Sequence, residues 1–187
     1  MKTVFFDVDT QIDFMFPAGA LYVPGAETIL PVIAELNHRA PLLVSTMDAH
    51  SENDTEFRMY PHHCVAGTIG QHKPGSTLLD KRAVLPAQPD AARQFIVEKQ
   101  KLDCFTNPRL TPFLDRLKAD RYVVYGVVTE ICVRYAAFGL LKMGRPVEIV
   151  TDAVRALSEL DAERTFEEFK AAGGKLVTAR EVLAGVQ

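Results

Sequence analysis

Apolar residues along the chain follow two alternating patterns, short β-branched runs and longer stretches in which apolar positions recur every three or four residues. The short runs carry few polar residues, which is typical of strands buried on both faces of a parallel sheet. The pattern therefore favours an α/β fold with three layers (α/β/α), in which a mostly parallel, doubly wound, Rossmann-like sheet lies between helices. Six strands are predicted, at 4–9, 42–46, 95–97, 122–127, 147–150 and 175–177, with helices at 26–39, 107–117, 129–143, 159–172 and from 179 onward.

Residues 47–92 interrupt this alternation. The segment contains four of the eleven prolines and four of the five histidines, without a sustained strand or helix pattern. Irregular segments of this length inside a compact domain are usually functional. We expect residues 1–187 to form a single domain in which the 47–92 excursion builds one wall of a site.

Composition narrows the class of protein. The 21 Lys and Arg against 24 Asp and Glu give a net charge of −3, which lacks the basic excess of a nucleic-acid-binding surface. No apolar run reaches the roughly 18–20 residues of a membrane span, and the first residues lack a signal-peptide pattern. Three cysteines without a CxxC pair argue against a disulfide framework. We therefore expect a cytoplasmic protein with reduced thiols and neither nucleic-acid nor membrane partners.

Two residues fall where a doubly wound sheet binds ligands, at the crevice beyond the carboxyl ends of its strands. In the common order 3-2-1-4-5-6, the first and fourth strands flank that crevice. Asp9 ends the first predicted strand, and Cys132 follows the fourth. With Thr129 as the N-cap of the next helix, the helix dipole would lower the pKa of Cys132 and favour a reactive thiolate. A buried structural cysteine is the alternative on position alone.

A cysteine nucleophile needs a base. Asp9 can serve if its pKa is raised and a cation holds it in place, whereas the simpler alternative is a carboxylate that caps a loop. Lys99 follows the third predicted strand and is the candidate cation at the same edge, with Lys101 as its competitor.

A candidate metal set follows the second strand. Asp48 and His50 stand at the same edge of the sheet, and the triplet His62-His63-Cys64 comes later in the excursion. An aspartate with two histidines offers oxygen and nitrogen donors for zinc, iron or manganese and leaves open positions for water or substrate. A closed structural zinc site completed by Cys64 is the alternative.

Three segments of the chain together resemble one family, the isochorismatase-like cysteine hydrolases. Residues 8–14, VDTQIDF, resemble the opening V-D-x-Q-x-D-F of that family, and residues 126–133, GVVTEICV, resemble its G-[VL]-x-T-[DE]-x-C-V segment. Lys99 and Phe105 resemble its K-x5-F pattern, which selects Lys99 over Lys101.

Two further segments resemble the nicotinamidase/pyrazinamidase branch of this family. Residues 48–50, DAH, look like D-[WA]-H, and residues 60–68, YPHHCVAGT, look like [WFY]-P-x-H-C-V-x-G-T. This resemblance implies that Asp48, His50 and His63 bind the metal, with His62 as a neighbour. Glu56 resembles an additional metal-side carboxylate of some members.

The resemblance also implies the catalytic groups. Asp9, Lys99 and Cys132 would form a triad, and the main-chain amides of Val128 and Cys132 would form an oxyanion hole beside a cis peptide between Val127 and Val128. Phe14 and Tyr60 would form the substrate wall. Tyr60 stands where many members carry tryptophan, so this wall is smaller. A somewhat different ring compound is therefore an alternative substrate.

The implied activity is hydrolysis of nicotinamide, and of pyrazinamide, to the free acid and ammonia through a cysteine thioester, a reaction of pyridine nucleotide salvage. One divalent metal ion is implied, with zinc favoured over iron or manganese. The implied partners are a small aromatic carboxamide as substrate and further copies of the chain in a homodimer or larger assembly that uses residues 71–92.

Alternative functions differ in the residue that does the chemistry. The main one is another isochorismatase-family hydrolase, acting on isochorismate or on another small amide. Residues 6–10, FDVDT, also look like the D-x-D-x-[TV] strand of haloacid-dehalogenase-type phosphatases, in which Asp7 would be the nucleophile, although Gln11 stands where threonine or valine is needed. A cysteine phosphatase would need arginine at the position of Phe138. A metal-binding or assembly module without catalysis is the non-enzymatic alternative.

Overall fold

The computed structural model describes residues 1–185 and contains a seven-stranded parallel sheet flanked by helices. The strands are β1 (Thr3–Val8), β2 (Leu43–Asp48), β3 (Arg82–Val84), β4 (Gln94–Lys99), β5 (Arg121–Val127), β6 (Val147–Arg155) and β7 (Lys175–Val177). The helices are α1 (Ile12–Met15), α2 (Leu30–Arg39), α3 (Leu110–Leu117), α4 (Arg134–Lys142), α5 (Glu159–Ala171) and α6 (Ala179–Ala184). The last two residues of the predicted domain lie outside the described part.

The sheet has the order β3-β4-β2-β1-β5-β6-β7. The order of the six predicted strands is the expected one, and β1 and β5 flank the point at which it reverses. The prediction of six strands is wrong, because β3 adds a seventh at the edge and pairs in parallel with β4. β3 has three residues, of which two are exposed, so no apolar run marks it in the sequence.

Burial explains the uninterrupted apolar runs. Every residue of β1 and β2 is buried, and so is every residue of β5 except the first. Such strands can carry a charged side chain only where a partner compensates for lost hydration. Asp7 and Asp48 are two such residues, and both have buried partners.

Two predicted helices begin with a different geometry. Residues Ala26–Ile29 form a 3₁₀ turn ahead of α2, and Thr129–Val133 form a π-helical turn ahead of α4. π turns inside helices are rare and are frequently found at functional sites. The second of these turns carries Cys132.

The excursion is attached to the start of the chain by polar contacts. Asp13 Oδ2 accepts a hydrogen bond from Cys64 N at 2.7 Å, and Asp13 N donates to Gly70 O at 3.0 Å. His50 also forms an isolated parallel bridge with Val65. These contacts hold the histidine-bearing part of the excursion against the carboxyl edge of the sheet.

Gly126 allows β5 to approach β1 closely at this edge. Its φ is +120°, a conformation that favours glycine, and a Cβ there would lie 2.1 Å from Val8 O. Any larger residue would push β5 away from β1, next to the crevice. Within residues 1–185, no helix combines the length and the apolar character needed to cross a membrane.

Candidate active site

The carboxyl ends of three strands bring Asp9, Lys99 and Cys132 together. Asp9 directly follows β1, Lys99 ends β4, and Cys132 lies in the turn after β5. Lys99 Nζ lies 2.9 Å from Asp9 Oδ2 and 3.8 Å from Cys132 Sγ. Because both contacts share one nitrogen atom, the sum of the two lengths is an upper bound on the separation of thiol and carboxylate. The three side chains form a single buried cluster.

The pairing of β2 with β4 places a second carboxylate on the same lysine. Asp48 and Lys99 are direct partners in the ladder, and Lys99 Nζ donates to Asp48 Oδ1 at 2.5 Å. The side chain of Lys101 is 54% exposed and lies 3.6 Å from Asp54 Oδ1 instead. Lys99 is therefore the lysine beside Asp9, and Asp48 belongs both to this cluster and to the candidate metal set.

The backbone of Asp9 has an unusual conformation. Its φ of +50° lies in the left-handed region, which is uncommon for a residue other than glycine. Asp9 N donates to Thr46 O at 3.2 Å, and the Thr46 hydroxyl donates to Asp9 Oδ1 at 2.6 Å. Such conformations persist where the surroundings enforce them, and they cluster at functional sites. In this protein the left-handed backbone of Asp9 and the hydrogen bond from Thr46 place the Asp9 carboxylate beside Lys99.

Burial sets the protonation behaviour of the cluster. Removal from water raises the pKa of Asp9 above its usual range, and the charge of Lys99 only partly offsets this. Burial alone would lower the pKa of Lys99. Electrostatic interactions with Asp9, Cys132 and Asp48 outweigh burial and raise this pKa well above its usual value. Lys99 therefore stays cationic, while Asp9 becomes a stronger base than an exposed aspartate.

The expected lowering of the Cys132 pKa is wrong. Burial raises the pKa of this thiol well above its usual value, and Asp9 and Asp48 add to the rise that Lys99 opposes. The predicted N-cap is also wrong, since Val128 occupies that position and no side chain caps the π turn that begins at Thr129. The thiol is therefore protonated at rest and needs a base to become a nucleophile.

The peptide between Val127 and Val128 is cis, as the resemblance implies. Val128 O accepts hydrogen bonds from Ile131 N and Val133 N, both at 3.1 Å. These two bonds fix the Val128 peptide relative to the turn that carries Cys132. Val128 and Cys132 both line the cavity above the cluster.

Asp48, His50 and His63 form a second cluster next to the first. One donor atom from each residue lies within 4.8 Å of the others, and all three residues are buried. His50 Nδ1 pairs with Asp54 Oδ2 at 3.1 Å, and His63 Nδ1 donates to Pro61 O at 2.7 Å. These outer contacts leave both Nε2 atoms directed at the centre of the group, the arrangement that orients metal-binding histidines.

Two further observations support a cation at this centre. His50 Nε2 is buried without a hydrogen-bond partner in the described part of the chain. Glu56 Oε1 lies 3.9 Å from Nε2 of both His50 and His63. The unpartnered nitrogen and the mixed oxygen and nitrogen donors fit a divalent ion such as zinc, iron or manganese.

The neighbours of His63 lie outside this group. Cys64 Sγ contacts Gly70 O at 3.9 Å and is not among the clustered donor atoms of Asp48, His50 and His63, so in the described part of the chain it does not complete a closed zinc site. The ring of His62 stacks on that of Phe57, with the centroids 4.2 Å apart.

One cavity joins the two clusters. Cys132 lies in its wall, and Asp48, Glu56 and His63 line it as well. The remaining lining is mostly apolar and includes both predicted wall residues, Phe14 and Tyr60, together with Leu21, Leu102, Ile131 and Leu157. The cavity therefore suits a small, largely apolar molecule that carries a few polar groups.

Asp7 does not face this cavity. It is completely buried, and its oxygens accept from Thr10, Asn37, Ser45 and Lys73. A nucleophile has to reach its substrate, and Asp7 has neither exposed surface nor a place in the lining of this cavity, which argues against the phosphatase alternative.

The match to known proteins agrees with this geometry. The family model described as the isochorismatase domain matches residues 3–181 of the sequence. The chain belongs to the isochorismatase domain family. An isochorismatase-like hydrolase from Alkaliphilus metalliredigens, a solved structure, superimposes with a TM-score of 0.84 at 26% identity, with all of both chains covered.

Proteins with named activities are also similar to this chain. A nicotinamidase of Escherichia coli is 26% identical over 91% of this chain and 92% of its own length. A nicotinamidase of Acinetobacter baylyi is 24% identical over 94% and 92%. The pyrazinamidase of Pyrococcus horikoshii in complex with zinc superimposes with a TM-score of 0.80 at 32% identity, over 95% of this chain and 99% of that one.

Sequence reasoning missed two residues of this isochorismatase-family site. Thr46 holds Asp9 through its hydroxyl, and Gln11 bonds to the main chain of Asp48. Thr46 lies two positions before Asp48 on β2, so the period-two alternation of a strand indicates that both side chains share a face. Gln11 is the glutamine of the VDTQIDF segment, which is the available signal for this residue, but its contacts depend on how the loop after β1 folds.

Proposed function

We propose that this isochorismatase-family hydrolase converts nicotinamide, and also pyrazinamide, to the free acid and ammonia. The observation that carries the proposal is the shared cavity, because a thiol beside Asp9 and Lys99 opens onto the same space as Asp48, His63 and Glu56. The nicotinamidases and the zinc-bound pyrazinamidase similar to this chain support the choice of substrate.

Asp9 acts first as a general base. It takes the proton of Cys132, and the thiolate sulfur attacks the carboxamide carbon of the substrate. The N–H groups of Val128 and Cys132 donate to the resulting oxyanion. The raised pKa of Asp9 favours this step, since a more basic carboxylate accepts the thiol proton more readily.

Asp9 then acts as a general acid. It returns the proton to the departing ammonia, which leaves a thioester on Cys132. Asp9 next deprotonates a water molecule, whose oxygen attacks the thioester carbon. The C–S bond then breaks, the acid leaves, and protonated Asp9 returns the proton to the thiolate of Cys132. Lys99 stays charged throughout and keeps the Asp9 carboxylate in reach of the sulfur.

Asp48, His50 and His63, with Glu56 beside them, would hold the metal ion. A bound ion would supply a Lewis acid for the ring nitrogen of the substrate, directly or through water, and so would help to orient the carboxamide towards the thiol. Phe14 and Tyr60 confine the ring between them and the apolar lining.

The decisive experiment measures release of acid from nicotinamide, pyrazinamide and isochorismate by the purified protein, together with its metal content. We expect turnover of the two amides and none of isochorismate. Cys132→Ala should abolish amide turnover while the far-ultraviolet circular dichroism stays unchanged. Cys104→Ala is the matched control, because Cys104 is also buried and burial raises its thiol pKa too, but it has no assigned role. Substantial amidase activity in Cys132→Ala contradicts the covalent mechanism.

The metal assignment has a test of its own. His63→Ala should raise KM strongly and leave slow amide turnover, whereas His62→Ala, which only loses its stacking on Phe57, should behave like the wild type. Unchanged kinetics in a demonstrably metal-free sample would remove the ion from the mechanism.

A further inference from the structure

Gln11 lies between the two clusters, two residues after Asp9, and its side chain is completely buried. The amide oxygen accepts from Asp48 N at 2.7 Å, and the amide nitrogen donates to Asp48 O at 2.9 Å and to Gln71 O at 2.7 Å. The partners fix the orientation of the amide, because a main-chain N–H only donates and a main-chain carbonyl only accepts. Gln11 thus holds the main chain of Asp48 through both its N–H and its C=O.

The position of Asp48 matters for two sets of contacts. Its Oδ1 accepts from Lys99, and its Oδ2 lies 3.8 Å from His50 Nε2. A shift of the Asp48 main chain would therefore disturb the cation beside Asp9 and the geometry of the metal ligands at once.

Gln11 also connects Asp48 to two other segments. Its own N–H donates to Asp9 O at 2.8 Å, which ties it to the end of β1. Its bond to Gln71 O reaches the excursion, where the Gln71 side chain accepts from Gly67 N at 2.9 Å. One residue therefore joins the end of β1, the end of β2 and the segment that follows His63.

We propose that Gln11 is a positioning residue that sets the Asp48 carboxylate for both Lys99 and the metal ion. Its effect on turnover rests on the proposed function, whereas its effect on metal affinity does not. Outer groups that orient metal ligands typically contribute about 10- to 100-fold to metal affinity or activity.

Gln94 provides a matched control. It is also a completely buried glutamine on this sheet, and its amide oxygen accepts from Leu79 N at 2.7 Å. Its amide nitrogen donates to Ser45 Oγ at 3.0 Å and to Thr77 O at 3.2 Å. Gln94 begins β4, whereas Lys99 ends it, so the control has a similar hydrogen-bond pattern at the opposite edge of the sheet.

The experiment compares Gln11→Glu and Gln11→Leu with Gln94→Glu and Gln94→Leu in the full-length protein. Three quantities are measured: the zinc dissociation constant by chelator competition, kcat and KM for nicotinamide, and the unfolding midpoint in denaturant. Gln11→Glu keeps the bond from Asp48 N but sets a carboxylate against two carbonyl oxygens, and Gln11→Leu loses all three bonds.

Both Gln11 variants should bind zinc about 10- to 100-fold more weakly and lose a similar factor in kcat. The Gln94 variants should lose stability to a comparable extent and keep zinc affinity and kcat near wild-type values. If Gln11→Leu does not fold, Gln11→Glu decides.

Wild-type zinc affinity in folded Gln11 variants overturns the proposal, and so does an equal loss of affinity in the Gln94 variants. A wild-type protein that binds zinc but does not hydrolyse nicotinamide contradicts the proposed function instead, and the zinc measurements still decide the role of Gln11.

Discussion

Two buried ion pairs, both built on β1 and its end, have different surroundings. Asp7 pairs with Lys73 at 3.2 Å, and Asp9 pairs with Lys99 at 2.9 Å. All four side chains are at most 1% exposed. Chemically the pairs are the same, so the difference between them lies in the groups around each carboxylate and each ammonium.

The Asp7 pair is fully hydrogen-bonded. Asp7 Oδ1 accepts from the Thr10 hydroxyl at 2.7 Å, and Oδ2 accepts from Asn37, Ser45 and Lys73 at 3.1 to 3.2 Å. Lys73 also donates to Thr10 at 2.9 Å. A buried charge with this many partners is compensated and unreactive.

The Asp9 pair has fewer hydrogen bonds and more ionisable groups around it. Thr46 donates to Oδ1, while Oδ2 has the ion-pair contact with Lys99 but lacks an aligned hydrogen bond among the described residues. Lys99 is shared with Asp48 and lies against the thiol of Cys132. We infer that Asp9 is suited to act as a base because the protein gives its carboxylate few hydrogen bonds. The ion pair with a lysine is common to Asp7 and Asp9 and does not make this difference.

Exchanging each carboxylate for an amide should give the largest contrast. Asp9→Asn removes the base and should lower kcat/KM by about 10²- to 10⁴-fold. Asp7→Asn leaves the charge of Lys73 buried without its partner and should cost about 3–5 kcal/mol of stability, with kcat/KM of the folded protein preserved. Steady-state kinetics and denaturant unfolding measure the two effects. An inactive but stable Asp7→Asn protein would contradict the division.

Replacing each lysine should give a smaller contrast. Lys99→Met leaves Asp9 and Asp48 close together without a cation, which raises the pKa of Asp9 further. A larger share of Asp9 is then protonated at neutral pH and cannot act as the base, so kcat should fall about 10- to 100-fold. Lys73→Met should mainly destabilise the fold, because it leaves the charge of Asp7 unpaired. The same two assays separate these outcomes, and equal loss of activity in both variants argues against them.

The hydroxyls that donate to each carboxylate should have the smallest effect. Activity requires ionised Asp9, so kcat/KM rises with pH through the Asp9 pKa, and burial places that rise above the usual range of aspartate. The Thr46 hydroxyl lowers this pKa. Thr46→Val should therefore move the acidic limb upward by about half a pH unit to one unit, the equivalent of one hydrogen bond.

Ser45→Ala is the control for this shift, because Ser45 donates to Asp7 at 3.2 Å. Its acidic limb should coincide with that of the wild type in the same pH series. A downward shift in Thr46→Val would mean that the acidic limb reports a group other than Asp9.

The strand-end positions of Asp9 and Cys132 could be predicted from the sequence, because buried parallel strands have an uninterrupted apolar pattern. The strand order matches the common order of a doubly wound sheet, which the apolar pattern itself does not encode. Since Asp48 and His50 follow the second apolar run, the sequence also predicts that they lie at the carboxyl edge of the sheet. The role of Asp48 as a link between the two clusters could not be predicted. It depends on the β2–β4 register, which places Asp48 opposite Lys99, and register is a non-local property.

The remaining errors concern the strand β3 and the thiol pKa of Cys132. β3 is too short and too exposed to produce a pattern, and its pairing with β4 is non-local. The thiol pKa of Cys132 was predicted from the helix dipole alone, but burial and two carboxylates outweigh it. A single sequence shows where a charged group falls along a strand, whereas the groups that surround it come from distant segments.

The outermost strand on each side of the sheet has only three residues. Such an edge offers another chain few consecutive unpaired peptide groups, which discourages edge-to-edge aggregation. The proline at 86, two residues beyond β3, also lacks an N–H for pairing. Copies of this chain therefore have little scope to join through a continuous intermolecular sheet, and helical faces or loops are the surfaces left for self-association.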